Sequence, residues 1–342
     1  MSDPSSQSEI QPVDLIKIRP GGDQPETITG TEGDDLIDGY GGDDTITGLG
    51  GDDIIIGGDG NDVIDGGTGT NRLYADAGDD TITSAGTNDV VDAGEGDNTI
   101  VISGNGGRYT SGSGDDSYTL QDNASGDIYI DFVDGDKSIV TEEGFSGRLY
   151  INSQSGNNEN GPSGLGDVTL DINSGQLGGL SLGNGVDVIN IKENGSSSHT
   201  YDLSTGGGDD VLNIDTDMHY AYWYLGEGDD TVSISEDFGG GHNWGGRIYG
   251  ENGDDTITLL GQGGNQAEIF GGDGNDIIDL SERLKTEDYY WLASYGGSGD
   301  DNLIGNDYDD RFYGENGDDT IYAGNGDNTV DGGSGNDYLE SG

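Results

Sequence analysis

The sequence predicts an all-β fold, a parallel β-solenoid of stacked nine-residue half-turns. From Gly30 to Thr119 the chain repeats every nine residues without an insertion. Each step joins a glycine-rich turn to three extended residues, and its bulky apolar side chain cannot be buried without neighbouring copies. With 69 Gly and 29% apolar residues, the composition alone would indicate disorder. The periodicity therefore decides the fold class.

Two positions of the repeat carry its chemistry. The eighth position supplies bulk, from Ile37 to Tyr118, and predicts the core. The sixth position supplies a side-chain oxygen in nine of ten steps: Asp35, Asp44, Asp53, Asp62, Asn71, Asp80, Asp89, Asn98 and Asp116.

These steps resemble a known family. Gly57-Gly-Asp-Gly-Asn-Asp-Val-Ile-Asp matches the G-G-x-G-x-D-x-U-x repeat of RTX (repeats-in-toxin) proteins. The resemblance implies a parallel β-roll that binds several calcium ions in its turns. Calcium prefers six to eight oxygen ligands, and glycine lets a turn adopt positive φ and direct carbonyls inward. The alternative is that the Asp side chains only order Asx turns.

The sixth-position carboxylates are the candidate calcium ligands. They are Asp35, Asp44, Asp53, Asp62, Asp80, Asp89, Asp116, Asp187, Asp210, Asp230, Asp255, Asp276, Asp301, Asp310, Asp319 and Asp337. Asn71, Asn98 and Asn328 supply oxygen without charge, so weaker sites are expected there. The fifth-position acids, such as Asp34 and Asp254, are interpreted as solvated charge.

In a β-roll two steps make one coil, so alternate turns lie on opposite edges. Edge one begins with Asp35 and Asp53, and edge two with Asp44 and Asp62. After Thr119 the spacing between turns grows to 20–25 residues, which predicts one calcium turn per coil on edge two and a longer loop opposite.

One continuous solenoid with four sections is therefore expected. Residues 1–20 form a flexible arm and a cap or donor strand, and residues 21–119 a regular calcium β-roll. Residues 120–295 form enlarged coils with irregular aromatic loops, and residues 296–342 a second regular roll. Between Asp116 and Asp187 the turns are expected to bind metal poorly or not at all.

The net charge and the cysteine content restrict the possible binding partners and the cellular location of the protein. The net charge of −58 opposes compaction unless cations are bound, so folding should be coupled to a divalent metal. Nucleic acid and membrane insertion are excluded for the same reason. The chain has no cysteine. Calcium as the staple indicates an extracellular or cell-surface protein, and the resemblance implies type I secretion.

Aromatic residues mark a candidate interaction surface. Tyr224, Tyr249, Phe270, Tyr295 and Tyr313 precede the first position of successive turns, which predicts an outward-facing ladder on one sheet. Trp223, Trp244 and Trp291 are assigned to the same surface, in loops opposite the calcium edge. The alternative is that these rings only cover a thin core and pack on one another.

The sequence favours a structural role. A β-solenoid that ends on an intact repeat presents unpaired strand groups to a second copy. The expected function is a secreted, calcium-rigidified protein that assembles end to end into an extracellular fibre, matrix or surface layer. The alternative is a polysaccharide-binding or polysaccharide-modifying module that uses the aromatic loops. His219 and His242 offer only thin support for catalysis, so an enzyme is the less favoured class.

Overall fold

The computed structural model is a solenoid of two parallel β-sheets. It describes residues 16–18, 23–153, 165–192, 202–216, 222–236, 238, 245–261, 267–283 and 292–342. Strands alternate between the sheets along the chain, so odd-numbered strands form the first sheet and even-numbered strands the second. Each sheet has 16 strands.

The strands are short and follow one another in a regular order. They are β1 (Ile16–Ile18), β2 (Thr27–Thr29), β3 (Asp35–Asp38), β4 (Thr45–Thr47), β5 (Ile54–Asp59), β6 (Val63–Asp65), β7 (Arg72–Ala77), β8 (Thr81–Ser84), β9 (Thr87–Asp92), β10 (Thr99–Ile102), β11 (Asn105–Ser111), β12 (Asp116–Leu120), β13 (Ser125–Phe132), β14 (Gly135–Thr141), β15 (Arg148–Ser153), β16 (Leu165–Ile172), β17 (Gln176–Ser181), β18 (Val188–Lys192), β19 (Asp202–Gly207), β20 (Val211–Asp215), β21 (Tyr222–Glu227), β22 (Thr231–Ile234), β23 (Arg247–Asn252), β24 (Thr256–Leu259), β25 (Ala267–Asp273), β26 (Ile277–Asp279), β27 (Leu292–Ser298), β28 (Asn302–Ile304), β29 (Arg311–Asn316), β30 (Thr320–Gly324), β31 (Thr329–Asp331) and β32 (Tyr338–Ser341).

The pairing register follows the period of the sequence. In the first regular section each residue pairs with the residue 18 positions later, as Thr45 does with Val63. In the middle section the step lengthens, so that Val211 pairs with Thr231 and Thr231 with Thr256. All described strand pairs are parallel. The predicted parallel β-solenoid with enlarged middle coils is therefore confirmed.

The core consists of apolar side chains that the two sheets direct toward each other. Every eighth-position side chain from Ile37 to Tyr118 is at most 1% exposed. Its neighbours on the strand point outward, as the period-2 geometry of a strand requires. Burying each aliphatic side chain contributes roughly 1.5–3 kcal/mol, so stability grows coil by coil.

The first strand belongs to the same lattice. Ile16–Ile18 pairs in parallel with β3 at the edge of the first sheet, within its own chain. Residues 1–15 of the expected arm lie outside the described residues. No helix in the described part of the chain is long and apolar enough to cross a membrane.

Candidate calcium-binding turns

The turns between strands depend on residues with positive φ. The second and fourth positions both adopt it, as Gly58 (φ 114°) and Gly60 (φ 136°) do. At the fourth position the preceding coil is also very close, because a Cβ on Gly42 would lie 2.6 Å from the Gln24 carbonyl carbon. Glycine therefore fixes both the shape of the turn and its spacing from the turn before it.

The sixth-position side chains form a hydrogen-bonded ladder along each edge. The amide N–H of Asp44 donates to Asp62 Oδ1 at 2.8 Å, and that of Asp62 donates to Asp80 Oδ1 at 2.7 Å. Edge two repeats this bond from Glu26 to Asp116 and again from Val168 to Asp337. One carboxylate oxygen of each turn thus orders the turn before it.

The second carboxylate oxygen of these residues is buried and makes no hydrogen bond. This holds for Oδ2 of Asp44, Asp53, Asp62, Asp80, Asp116, Asp187, Asp210, Asp230, Asp255, Asp276, Asp301 and Asp319. The side chains themselves are at most 2% exposed. A buried charged oxygen without a partner is strongly unfavourable unless a cation or a proton compensates it. Cations bound along this row of carboxylate oxygens would compensate their buried charge.

The surroundings of these oxygens fit calcium. Asp44 Oδ2 and the Gly57 carbonyl oxygen each lie 2.5 Å from where a Cβ on Gly39 would stand. At Gly48 the corresponding oxygens belong to Asp53 and Gly66, at 2.5 and 2.6 Å. Among the described residues, no three acidic or histidine side chains cluster as a metal site. Backbone carbonyls would therefore supply most ligands, which suits a hard cation with flexible coordination.

Burial changes the acidity of the same carboxyl groups. In the metal-free protein, desolvation raises the pKa of Asp53 and Asp62 to about 6. Desolvation raises the pKa of Asp187 and Asp255 further, to about 8, and neighbouring carboxylates add to the effect. Since a cation would reverse this cost, calcium and protons compete for these oxygens.

Not every sixth-position residue leaves an oxygen free. Asp89 Oδ2 accepts hydrogen bonds from Ser84 Oγ at 2.7 Å and from the Gly86 amide at 3.1 Å. At Asn98 the Nδ2 group donates to the Gly96 carbonyl at 3.0 Å. In these turns protein hydrogens occupy oxygens that elsewhere remain free, which gives a physical reason for the weaker sites expected at Asn residues.

Comparison with known families agrees with this geometry. A family model of the RTX calcium-binding nonapeptide repeat, in four copies, matches residues 20–55, 38–73, 47–82, 65–100, 247–265, 268–282, 295–330 and 313–342. The chain is an RTX calcium-binding β-roll protein. Its cofactor is calcium, with several ions. No match to the chain was found among curated proteins.

The matched segments of this RTX protein coincide with its strongest turns. They cover the first regular section up to residue 100, the turns of Asp255 and Asp276 and the second regular section, and they omit residues 101–246. The omitted part nevertheless contains Asp187, Asp210 and Asp230, whose ladder bonds and free oxygens equal those of the matched turns. The assignment of individual sixth-position carboxylates as ligands stays a prediction.

The fifth-position residues have a role that the sequence interpretation missed. Asp43 Oδ1 accepts the amide N–H of Asn61 at 3.0 Å, and Asp254 Oδ1 accepts that of Asn275 at 2.7 Å. This second ladder runs along the exposed rim of the RTX turns and opposite in sense to the first, because here the later turn donates to the earlier one. Asp43 and Asp254 are exposed, as their interpretation as solvated charge expects, but that interpretation did not include their hydrogen bonds to the next turn.

The aromatic ladder exists as predicted, but one of its assigned members is elsewhere. The rings of Tyr224, Tyr249, Phe270, Tyr295 and Tyr313 stack along the first sheet with centroids 4.7–5.0 Å apart. Trp223 is 0% exposed and packs on Phe238 inside the solenoid, so its placement on the surface was wrong. It precedes Tyr224 on β21 and therefore points to the opposite side of the sheet.

Trp244 and Trp291, which were assigned to the same surface, lie outside the described residues. His219 and His242, the candidates for catalysis, also lie outside them. Whether the ladder binds a partner stays a prediction.

Proposed function

We propose that this protein is a secreted, calcium-rigidified structural rod that assembles end to end into an extracellular fibre or layer. The observation that carries the proposal is the continuity of the two sheets, with free, buried carboxylate oxygens repeated along edge two from Asp44 to Asp319. Ions bound next to these oxygens would couple the coils that carry them, before Asp116 and after Asp187, and stiffen most of the length. Stiffness over this length suits a scaffold.

Assembly would use a coil face. Leu339 occupies an eighth position on β32 yet is 49% exposed, whereas Ile321 at the equivalent position of β30 is 0% exposed. A coil of a second copy stacked on β32 would bury Leu339, and this apolar burial would favour association.

Electron microscopy of the purified chain tests this proposal. Fibres should form with calcium and disappear after chelation. Leu339→Glu should prevent fibre formation without changing the circular dichroism spectrum, whereas Val63→Glu, at an outward position that is 47% exposed, should leave it unchanged. Single rods from the unmodified chain in calcium would overturn the assembly proposal.

A second candidate function, polysaccharide binding, is favoured by a groove on the first sheet. The groove has a volume of about 380 Å³ and lies between Tyr150, which ends one stack with Tyr129, and Tyr224, which begins the long ladder. Ring faces inside the ladder cover one another. Sugar rings would therefore bind at the groove, where small residues such as Ser181 and Ser204 adjoin the tyrosines.

Glycan retention measures this candidate directly. Tyr150→Ala combined with Tyr224→Ala should abolish binding to an immobilised polysaccharide, while Tyr322→Ala, an exposed tyrosine on the second sheet, should retain it. Equal retention by the double variant and the unmodified protein would exclude the groove.

A further inference from the structure

The sixth-position row of edge two is interrupted by a lysine. In the strand register Asp116 pairs with Lys137, and Lys137 pairs in turn with Val168. Lys137 therefore holds the sixth position of its coil, where the preceding coils have Asp or Asn. Because this coil begins after a step of 21 residues rather than 18, the nine-residue count does not reveal the equivalence.

The Lys137 ammonium group is enclosed by the oxygens of two successive turns. Its Nζ atom lies 3.0 Å from Asp116 Oδ2, and both side chains are 0% exposed. It donates to the carbonyl oxygens of Gly114 at 2.6 Å and Gly135 at 3.2 Å, and also to that of Asp134. One carboxylate and three carbonyls are ligands of the kind that calcium prefers.

This arrangement removes the condition that makes regular turns need a metal. Asp116 Oδ2 makes no hydrogen bond, like its equivalents, but among the described residues of edge two it alone has a buried cation beside it. Three N–H groups of the ammonium are used by three carbonyls, so no donor is left free. The turn cannot also accommodate a calcium ion, because the ammonium already fills the space between these oxygens.

A second buried cation follows the same pattern on edge one. Arg283 Nη2 lies 3.0 Å from Asp310 Oδ1, with the two side chains 7% and 0% exposed. Of the Lys and Arg residues whose side chains the structure describes, Lys137 and Arg283 are the buried ones, and each contacts a sixth-position aspartate. Asp310 opens the stretch of edge one that returns after the middle section.

Hydroxyl groups replace ions in the coils around Lys137. The Tyr109 and Ser84 hydroxyl groups are 3.0 Å apart, and Ser84 donates to Asp89. Two coils further on, Thr141 Oγ1 donates to the Ser174 carbonyl at 3.0 Å, and Ser174 Oγ donates to the Glu142 carbonyl at 2.7 Å. Asp89 and the carbonyl groups of Glu142 and Ser174 thus receive hydrogen bonds from hydroxyl groups of the protein itself.

We propose that the Lys137 ammonium is a built-in substitute for calcium, so that the junction between the Asp116 and Lys137 turns binds no ion and stays folded when calcium is removed. Arg283 performs the same role toward Asp310. A tethered cation cannot dissociate, so these coils form a calcium-independent segment within a calcium-dependent solenoid.

Calcium stoichiometry of the full chain tests the substitution. Lys137→Asp restores a sixth-position carboxylate and should increase the number of bound calcium ions by one, measured by equilibrium dialysis with metal analysis. Lys192→Asp, at an exposed position on the same sheet, should leave the number unchanged. An unchanged number in folded Lys137→Asp would overturn the proposal.

Hydrogen exchange in chelator tests independence from calcium. In the unmodified chain, peptides covering β12 and β14 should exchange at least tenfold more slowly than peptides covering β4 and β6. Lys137→Met, which keeps the length of the side chain but removes its charge, should abolish that protection, while Lys192→Met should not. Equally fast exchange of both regions in the unmodified chain would contradict the proposal. If Lys137→Met does not fold, hydrogen exchange of the unmodified chain and the calcium stoichiometry of Lys137→Asp still test the proposal.

Discussion

The first regular section and the middle section hold the same coil closed in different ways. Between residues 23 and 119 ordered turns with sixth-position oxygens occur on both edges, as Asp53 and Asp62 illustrate. In the described part of the middle section the ladder continues only on edge two, through Asp187, Asp210 and Asp230. The strands and the core are nevertheless continuous between them.

The comparison shows which part of the repeat is indispensable. One ordered edge and an inward apolar residue on each sheet are sufficient to keep the register, since β20 and β22 pair as regularly as β4 and β6. The second calcium edge is therefore redundant for topology. It adds stability, and its absence makes the middle section depend on each remaining turn.

Removal of calcium should have the largest effect, and it should fall unevenly. With chelator the carboxylates of both regular sections lose their counterions while the net charge of −58 remains. We expect most of the β-sheet circular dichroism signal to be lost, with hydrogen exchange fastest in β3 to β8. If the circular dichroism spectrum is the same with and without calcium, the folding of the regular sections does not depend on calcium and the prediction is wrong.

A single aspartate should matter more where one edge remains. Asp230→Ala removes a free oxygen and leaves the Asp210 amide without its acceptor. We expect a loss of about 4 kcal/mol at saturating calcium, combining an unsatisfied buried donor with a lost ion. Asp62→Ala removes the equivalent groups, but its effect should be smaller because the turns of Asp53 and Asn71 still connect the same coils on the other edge.

Local hydrogen exchange distinguishes these two variants. Peptides of β20 and β22 should open in Asp230→Ala, whereas those of β6 and β8 should stay protected in Asp62→Ala. Equal opening in both would show that the edges act independently.

Individual turns should also differ in their response to pH, and both sections include carboxyls with a pKa of about 6 or 7, such as Asp80 and Asp210. The raised pKa values favour the protonated carboxyl in the folded, metal-free chain, so its stability falls as pH rises from about 4. The fall should end near pH 6 for Asp53 and Asp62, and near pH 8 for Asp187 and Asp255. The calcium-free chain should therefore be more stable in mild acid, where these buried carboxyls are protonated, than at pH 8.

Thermal unfolding of the calcium-free chain between pH 4 and pH 9 measures this dependence. Asp187→Asn and Asp255→Asn should reduce the loss of stability between pH 6 and pH 8, whereas Asp53→Asn and Asp62→Asn should change it mainly below pH 6. The same change in all four variants would contradict the difference between these carboxyls.

The rim ladder should contribute less than the buried one. Asp254→Ala deprives the Asn275 amide of its acceptor, and since the site is exposed we expect a loss of about 1 kcal/mol. Asp254→Asn retains a carbonyl oxygen and should be close to neutral. If the alanine variant is also neutral by thermal unfolding in calcium, water replaces the lost bond and the rim ladder is not stabilising.

The smallest predicted effect concerns backbone strain in the first section. Leu49 has φ of 78° at a second position where Gly58 and Gly67 occur in equivalent turns. Leu49→Gly should raise stability by up to about 1 kcal/mol, because glycine adopts this conformation without a steric penalty. Thr47→Gly, in a strand with ordinary φ, should lower stability in the same thermal unfolding experiment.

Much of this molecule could be predicted because one period determines strand, turn and core together. A residue such as Ile55 or Asp53 has its burial and its partner set by its place in the count, and the structure agrees. The prediction failed where sequence distance does not encode contact. In the sequence, an Asp43 that accepts an amide N–H cannot be distinguished from an Asp that contacts only water. The recurrence of Asp or Asn at the fifth position, as at Asp43 and Asn61, was an available signal.

Two other residues show the second cause of failure. Trp223 was grouped with its exposed neighbour because loop and strand could not be separated by composition, yet strand alternation turns it inward. The repeat position of Lys137 could not be recognised from the sequence because an insertion interrupts the nine-residue period. Only the pairing register of β12 and β14 shows that Lys137 holds the sixth position. Where the period is lost, three-dimensional pairing has to replace it.

The alternation of strands between the two sheets restricts how such a chain can change its length in evolution. Loss or gain of nine residues would send every later strand to the opposite sheet and every later turn to the opposite edge, so Asp187 and its successors would leave their row. Loss or gain of one whole coil of 18 residues, as between Thr45 and Val63, preserves both rows. Duplication can therefore lengthen the rod only in whole coils, and each viable relative should differ from this chain by complete turns of the solenoid.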